Sequence, residues 1–413
     1  MQFHPLSPAT YQAHRNALGK DLDPEGIAIL HSNDRMPRTA DQYFPFRQNS
    51  DLLRLCGIYQ GETVLVLFPD HPDPEKRELL FIQRTSEHMQ TWDGEALSKV
   101  EAIRISGIEQ VHWTDQFENL VYPLVARASQ VYLNSNEKAD YPQNVLNRNE
   151  RLGLELLRQF PFHTVRRLQP LLKKLSLVKS PEEIEAIRAA ARLTGQTWKK
   201  ISRLIKPGMY EFELAAEITY QFEKNGAVHA FDPIVASGPS ACTLHYKSNH
   251  QKIRAEDLIL VDFGAELNGY SADMTRCKAV DGTMNARQFA VYDQVVNLFQ
   301  QARLMLKPGA RIQEVNEKIQ LWASDALLQL GLASPVEARD HKIIRKYLPH
   351  GISHFLGLDV HDYGDRYLAL EPGMVLTCEP GLYIREEGIG IRLENDLLIT
   401  ETGNEDLMAD YEI

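Results

Sequence analysis

Apolar runs that alternate with polar segments predict the secondary structure of the first part of the chain. Strand-like runs at 62–68, 78–84 and 129–135 alternate with helix-like segments, a pattern typical of an α/β domain. Near residue 180 the sequence SPEE combines an N-cap hydroxyl, a proline and two acids, which indicates the start of a helix. We therefore place a domain boundary before this helix and predict an N-terminal domain at 1–172 and a second domain at 173–413.

The second domain contains a faint internal repeat. KPGMYEFELAAEI begins at Lys206 and KPGARIQEVNEKI begins at Lys307, each with a Pro-Gly turn that opens an amphipathic helix. Later, the apolar strand LILVDFG (258–264) has a counterpart in VLTCEPG (375–381), and each contains an acid. The ordered agreement of turn, helix and strand favours duplication over chance. A duplicated fold would place both acid-bearing strands around one pseudo-two-fold centre.

Composition and charge narrow the classes of protein. Hydrophobic residues make up 43% and charged residues 24%, as in folded soluble domains. The net charge of -11 argues against a nucleic-acid or anionic-membrane partner, and no apolar run reaches the roughly 20 residues of a membrane span. The 4 cysteines lack CxxC spacing, which suits a reducing compartment. We expect a cytoplasmic protein with no nucleic-acid or membrane partner.

A predicted hairpin brings two acids to one face. The Asn-Gly pair at 268–269 lies between alternating runs and predicts a two-residue turn. With this turn Gly264 faces Asp273 and Asp262 faces Thr275, so the two aspartates are diagonal neighbours about 7–8 Å apart at the backbone. Both could simply face water. Acids are depleted in strands, however, and these lie within apolar runs, which favours a ligand pair with room left between them by the glycine.

The second half supplies two further acids. Glu379 ends an apolar strand before a proline, and Glu394 lies two residues after Arg392 on the same face. Four carboxylates cannot gather unneutralised in a partly buried place, so they imply bound cations. The sequence therefore predicts a site for metal ions between the two halves.

The segment HGISHFLGLDVHD (350–362) adds three histidines. His350 and His354 have the spacing of the helical zinc-protease motif but no glutamate between them, and His361 beside Asp362 could be a structural loop pair. Four acids with one nearby histidine form a five-ligand set for two divalent ions, and its hard oxygen donors favour Mn²⁺, with Co²⁺, Fe²⁺ or Zn²⁺ as alternatives. Two ions about 3.5–4 Å apart can activate a water and stabilise an oxyanion, which implies metal-assisted hydrolysis.

These blocks together resemble the pita-bread metallopeptidases, above all the Xaa-Pro aminopeptidase (aminopeptidase P) and prolidase family. VDFGAELNGYSADMTR, HGISHFLGLDVHD, EPGMVLTCEPGLYI and GIGIRLENDLLITETGNE occur in the family's order, and the match covers nearly all of 173–413. DQYFPFRQNSDLLRLCGI (41–58) resembles the N-terminal domain of aminopeptidase P less specifically. The resemblance implies an α/β (α+β) chain in which a mixed α/β domain precedes a pseudo-two-fold pita-bread domain.

The resemblance also implies a role for individual residues. The implied ligands of the two metal ions, with the second and the last bridging both, are Asp262, Asp273, His354, Glu379 and Glu394. His245 would stabilise the tetrahedral intermediate, His361 and His350 would bind the substrate, and Glu379 would take a proton from a metal-bridging water. Arg392 and Tyr383 would line the pocket or support the ligands.

Substrate specificity follows from the resemblance alone. It implies cleavage of the Xaa-Pro bond at the N-terminus of a proline-containing peptide, by a homo-oligomer that is a dimer or tetramer. A prolidase, which splits only Xaa-Pro dipeptides, is the alternative: FRQNSD favours the aminopeptidase, whereas the short connection IREEGI (384–389) leaves the substrate length open. A non-catalytic pita-bread binding protein is disfavoured because all five ligand types are intact.

Overall fold

The computed structural model describes residues 3–135, 137 and 145–411, in two compact units. The first unit is Phe3–Leu175, and the second begins at Ser176. Helices of the first unit are α1 (Pro8–Asp21), α2 (Ser50–Cys56), α3 (Glu87–Trp92), α4 (Lys99–Ser106), α5 (Phe117–Arg127), α6 (Arg148–Gln159) and α7 (Gln169–Leu177). The boundary that we place after residue 172 falls within α7, and the end of this helix passes the division between the units.

A mixed sheet organises the first unit. Its strands are β1 (Gly26–His31), β2 (Pro37–Thr39), β3 (Gln42–Tyr43), β4 (Val64–Leu67), β5 (Glu78–Ile82), β6 (Val111–Trp113), β7 (Gln130–Leu133) and β8 (Thr164–Arg167). Six of them form one sheet in the order β6-β5-β4-β1-β7-β8, where β1 is antiparallel to β4 and parallel to β7. The three strand-like runs predicted from the sequence correspond to β4, β5 and β7, and the mixed α/β class is confirmed.

The second unit contains the predicted repeat. Its helices are α8 (Pro181–Ile201), α9 (Glu211–Lys224), α10 (Ala286–Met305), α11 (Ile312–Gln329) and α12 (His341–Tyr347). Helix α8 begins where SPEE predicts, with a capping box between Ser180 and Glu183. The two KPG turns precede α9 and α11, and the glycine of each has positive φ. Within the described ranges no helix is both long and apolar enough to cross a membrane.

Two hairpin systems form the sheets of the second unit. The strands are β9 (Val228–His229), β10 (Ile234–Ser237), β11 (Leu258–Phe263), β12 (Ala265–Leu267), β13 (Tyr270–Ser271), β14 (Met274–Ala279), β15 (Val375–Cys378), β16 (Gly381–Ile384), β17 (Ile389–Arg392), β18 (Asn395–Ile399) and β19 (Asn404–Asp406). Strand β11 pairs with β14, and β15 pairs with β18. Leu260 of β11 and Leu376 of β15 belong to the same buried apolar cluster, so the acid-bearing strands of both halves share one core.

The first hairpin has the predicted register. The Asn268–Gly269 turn has positive φ at both residues, as a type I′ turn requires. Asp262 pairs with Thr275, and the same register continues to the turn. A Cβ atom on Gly264 would lie 1.7 Å from the carbonyl oxygen of Ala272, so only glycine permits this approach of the two strands.

Candidate metal centre

Three of the predicted ligands form one compact group. Asp273, His354 and Glu394 each offer one ligand atom, and these atoms all lie within 4.8 Å of one another. Asp273 and Glu394 are buried and immediately precede β14 and β18, respectively, whereas His354 is partly exposed. Two carboxylates and one imidazole within this distance are a donor set that divalent transition metals accept.

Glu379 lies on the histidine side of this group. Its Oε1 is 3.5 Å from His354 Nε2, and its Oε2 is 3.7 Å from His350 Nδ1. The Glu379 amide donates to the carbonyl of Ile352, 2.9 Å away, so the end of β15 is held against the histidine segment. Glu379 is therefore placed to share an ion with His354 or to exchange a proton beside it.

Asp262 is held by an arginine of the other half. Its Oδ2 accepts a hydrogen bond from Arg392, whereas its Oδ1 is buried and has no hydrogen-bond partner among the described residues. Asp273 Oδ1 is likewise buried and has no hydrogen-bond partner among the described residues. A buried carboxylate oxygen without a donor is costly, and a bound cation would offset that cost. The donor atoms present therefore fit divalent metal ions.

The electrostatics of the group agree with this fit. Burial raises the pKa of Asp273 well above its usual range, and the neighbouring charges of Asp262, Asp396 and Glu379 raise it further. Burial also raises the pKa of Glu394 well above its usual range, with Asp273 as the largest charged contributor. Raised carboxyl pKa values show that gathered negative charge is unfavourable here without a counter-charge, which a divalent ion would supply.

Three predicted pocket residues form a hydrogen-bonded row. Arg392 donates to the Tyr383 hydroxyl at 2.7 Å, and this hydroxyl is 2.8 Å from His350 Nε2. Burial raises the pKa of Tyr383, so its hydroxyl stays protonated and can donate to the imidazole. The row connects Asp262, through Arg392, to a histidine that faces Glu379.

The two remaining histidines differ in their position. The ring of His361 lies 4.4 Å from that of His354 between centroids, nearly perpendicular to it, and the residue is exposed. His245 is also exposed, in the segment between Cys242 and β11. Among the described residues, His245 makes no hydrogen bond or ion pair with the carboxylate group. The structure thus brings His361 to the group and leaves His245 outside direct contact.

Two threonines support the ligands, and our sequence analysis did not identify either. Thr275 donates to Glu394 Oε2 at 2.6 Å and accepts from Arg392 Nε at 3.0 Å. Thr377 donates to Glu379 at 3.4 Å. Each threonine lies two residues from a predicted ligand in a strand, so the two-residue period of strands was the signal for them.

A fifth acid also belongs to this site. Asp396 is fully buried, and its Oδ2 accepts from the amide of Asp273 at 3.1 Å. Burial raises the pKa of Asp396 well above its usual range. It follows Glu394 by two residues, so strand periodicity could have indicated it as well. Asp396 fixes the backbone from which one predicted ligand extends.

Comparisons with known proteins agree with the fold. The model of metallopeptidase family M24 matches residues 185–401, and that of the aminopeptidase P N-terminal domain matches 11–132. The chain is 34% identical to Xaa-Pro aminopeptidase of Escherichia coli K12, over 98% of this chain and 95% of that protein. It superposes on a Bacillus anthracis structure described as an aminopeptidase P with a TM-score of 0.92 at 32% identity, covering 98% and 96% of the two chains. For E. coli aminopeptidase P with the inhibitor Pro-Leu, the TM-score is 0.90 at 33% identity, covering 99% and 96%.

Proposed function

Because the chain belongs to metallopeptidase family M24, we propose that it is an Xaa-Pro aminopeptidase, which releases the N-terminal residue from peptides whose second residue is proline. The observation that carries this proposal is the group formed by Asp273, His354 and Glu394. The match of residues 11–132 to the aminopeptidase P N-terminal domain and the names of the relatives support the specificity for proline.

We propose two divalent cations as the cofactors, with Mn²⁺ as the first choice and Co²⁺, Fe²⁺ or Zn²⁺ as alternatives. The residues that would hold them are Asp262, Asp273, His354, Glu379 and Glu394. The unpartnered oxygens of Asp262 and Asp273 support this assignment, since both are buried carboxylate atoms that lack a donor among the described residues. When bound, such ions supply Lewis acidity and lower the pKa of a coordinated water.

The site also needs a residue that accepts a proton and residues that bind and orient the peptide. We assign to Glu379, besides its role as a ligand, the uptake of the proton of the attacking water, and its position between His350 and His354 supports this. We assign substrate contacts to His350 and to the exposed His361, and to His245 the stabilisation of the tetrahedral intermediate. The contacts of His350 with Tyr383 and of His361 with His354 support these two assignments.

We also propose that the protein works in the cytoplasm as a homo-oligomer, either a dimer or a tetramer. The match of residues 11–132 supports an oligomer only by family likeness. All four cysteines are free and buried in the structure, which suits a reducing compartment. Light scattering on the purified full chain measures the oligomeric state, and a monomer would contradict this part of the proposal.

Peptide hydrolysis tests the activity directly. The protein is stripped of metal, reloaded with Mn²⁺, and assayed on an Xaa-Pro dipeptide and an Xaa-Pro-Yaa tripeptide. We expect turnover of the tripeptide. Cleavage of the dipeptide alone would assign a prolidase, an outcome to which the short connection between β16 and β17 could contribute. Failure to cleave either peptide would contradict both activities and favour a binding protein.

A further inference from the structure

A buried ion pair lies next to the candidate metal centre but contributes no predicted ligand to it. Lys179 Nζ is 2.9 Å from Asp362 Oδ2, and the two side chains are 0% and 3% exposed. Lys179 Nζ also donates to the carbonyl of Ser176 at 2.6 Å, and Asp362 Oδ1 accepts from the amide of Tyr363 at 2.8 Å. A fully buried pair gains little net stability over apolar residues of similar size. Its presence is therefore better explained by what it holds in place.

The pair holds the loop that carries His361. Asp362 follows this histidine directly, and its amide donates to the carbonyl of Phe355 at 2.9 Å, which closes the loop. A Cβ atom on Gly357 would lie 2.1 Å from Asp362 Oδ2 and 3.0 Å from Lys179 Cε. The ion pair thus packs directly on the loop backbone, and glycine is what permits this contact.

Both ends of this arrangement are connected to the ligand-bearing strands. The amide of Lys179 donates to the carbonyl of Gly373, just before β15, at 2.9 Å. The carbonyl of Gly357 accepts from the amide of Ser271 in β13, also at 2.9 Å, two residues before the ligand Asp273. The loop is therefore bound to the first half of the repeat by the backbone hydrogen bond at Gly357. Through its ion pair with Lys179 it is also connected to the second half.

We propose that Lys179 and Asp362 are positioning residues that hold His361 beside the metal centre for contact with the peptide substrate. This role rests on the proposed aminopeptidase activity. His361 is exposed and its ring meets that of His354, so the position of its backbone depends on the groups that hold the loop. The pair acts through His361 and touches neither the peptide nor the metal ions.

A double substitution tests the role without leaving a buried charge unpaired. Lys179→Met with Asp362→Leu removes both charges together, which limits the loss of stability. We expect full metal content and a folded protein, with kcat/KM on an Xaa-Pro-Yaa tripeptide lowered about 10- to 100-fold, as for a misplaced substrate contact. In a His361→Ala background the same double substitution should lower kcat/KM no further. The control is Arg188→Met with Glu405→Gln, which removes a partly exposed pair elsewhere in the second unit.

The outcomes separate this proposal from the proposed function. Unchanged kcat/KM in the folded double variant would overturn the positioning role, as would an equal further loss in the His361→Ala background. Loss of metal content would also overturn it, because the pair would then support the ligands. If the double variant does not fold, Lys179→Gln with Asp362→Asn enters the same cycle, because it replaces the ion pair by two neutral amides and keeps the acceptor for the amide of Tyr363. A wild-type protein that cleaves no Xaa-Pro peptide would refute the proposed function, and this role with it.

Discussion

The two ligand-bearing hairpins of the repeat place their acids differently along their ladders. In the first hairpin the register places Asp262 opposite Thr275, whereas at the equivalent position of the second it places Glu379 opposite Glu394. The first hairpin therefore has its second acid two residues nearer the turn, opposite a glycine, whereas the two acids of the second hairpin face each other. The two halves share the architecture, while the chemistry at equivalent positions differs and makes one asymmetric site.

Each hairpin also supports a ligand of the other. Thr275 of the first hairpin accepts from the amide of Glu394 at 3.2 Å and donates to its carboxylate at 2.6 Å. Asp396 of the second hairpin accepts from the amide of Asp273, and Arg392 binds Asp262. Neither half can therefore keep its ligands in place alone, and the site is a property of the packed pair.

The largest expected effect follows removal of the acid opposite the glycine. Asp273→Ala deletes one member of the compact ligand group. We expect loss of bound metal and a fall in kcat/KM of more than about 100-fold, above the range for loss of a supporting partner. Metal analysis and tripeptide hydrolysis measure this, with the exposed Glu401→Ala as the control. Full activity of Asp273→Ala would contradict the dinuclear site.

A smaller effect should follow the loss of the side-chain contacts that join the two hairpins. Arg392→Lys keeps the charge but loses the fork that contacts Asp262, Thr275 and Tyr383 together. We expect metal affinity or kcat/KM to fall about 10- to 100-fold, as for other residues that orient ligands. The exposed Arg385→Lys serves as the control, and an equal effect of both substitutions would argue against a specific role for Arg392.

The glycine of the first hairpin can be tested by its stability. In Gly264→Ala the new Cβ would approach the carbonyl oxygen of Ala272 to 1.7 Å, so the strands must separate. We expect the free energy of unfolding to fall by about 1–3 kcal/mol, the usual range for overpacking. Gly403→Ala is matched to it, since no described heavy atom outside its chain neighbours lies within 4 Å of that Cβ. Equal denaturation midpoints for both variants would show that the first hairpin tolerates a side chain there.

Contacts within each hairpin could be predicted from the sequence, and contacts between hairpins could not. The Asn268–Gly269 turn fixes the register locally, so the pairing of Asp262 with Thr275 follows from counting residues. The hydrogen bond from Arg392 to Asp262 joins residues 130 positions apart. It depends on how two packed sheets meet, which no local periodicity encodes. For the same reason the sequence did not indicate that Lys179 and Asp362 would pair.

The smallest expected effect is a pH dependence of the metal-free protein. Burial raises the pKa of Asp273 and Glu394 in the folded state, while in the unfolded chain they titrate at about 4. Between the unfolded and folded pKa values, the folded protein holds more protons than the unfolded one, so its stability is highest at low pH and falls as pH rises. We expect the Tm of the metal-free protein to decrease on this account as the pH rises above about 4.5.

Substitution and metal loading both test the origin of that slope. Asp273→Asn should flatten it, because the amide carries no charge to repel Glu394, whereas Glu401→Gln at an exposed position should leave it unchanged. Saturating Mn²⁺ should reverse it, since the metal competes with protons for the same carboxylates and binds better as pH rises. If the metal-free wild type and Asp273→Asn show the same slope, the acids of the two hairpins do not repel one another in the folded protein. The comparison between the hairpins would then concern geometry alone, because the glycine opposite one acid and the glutamate opposite another would make no electrostatic difference.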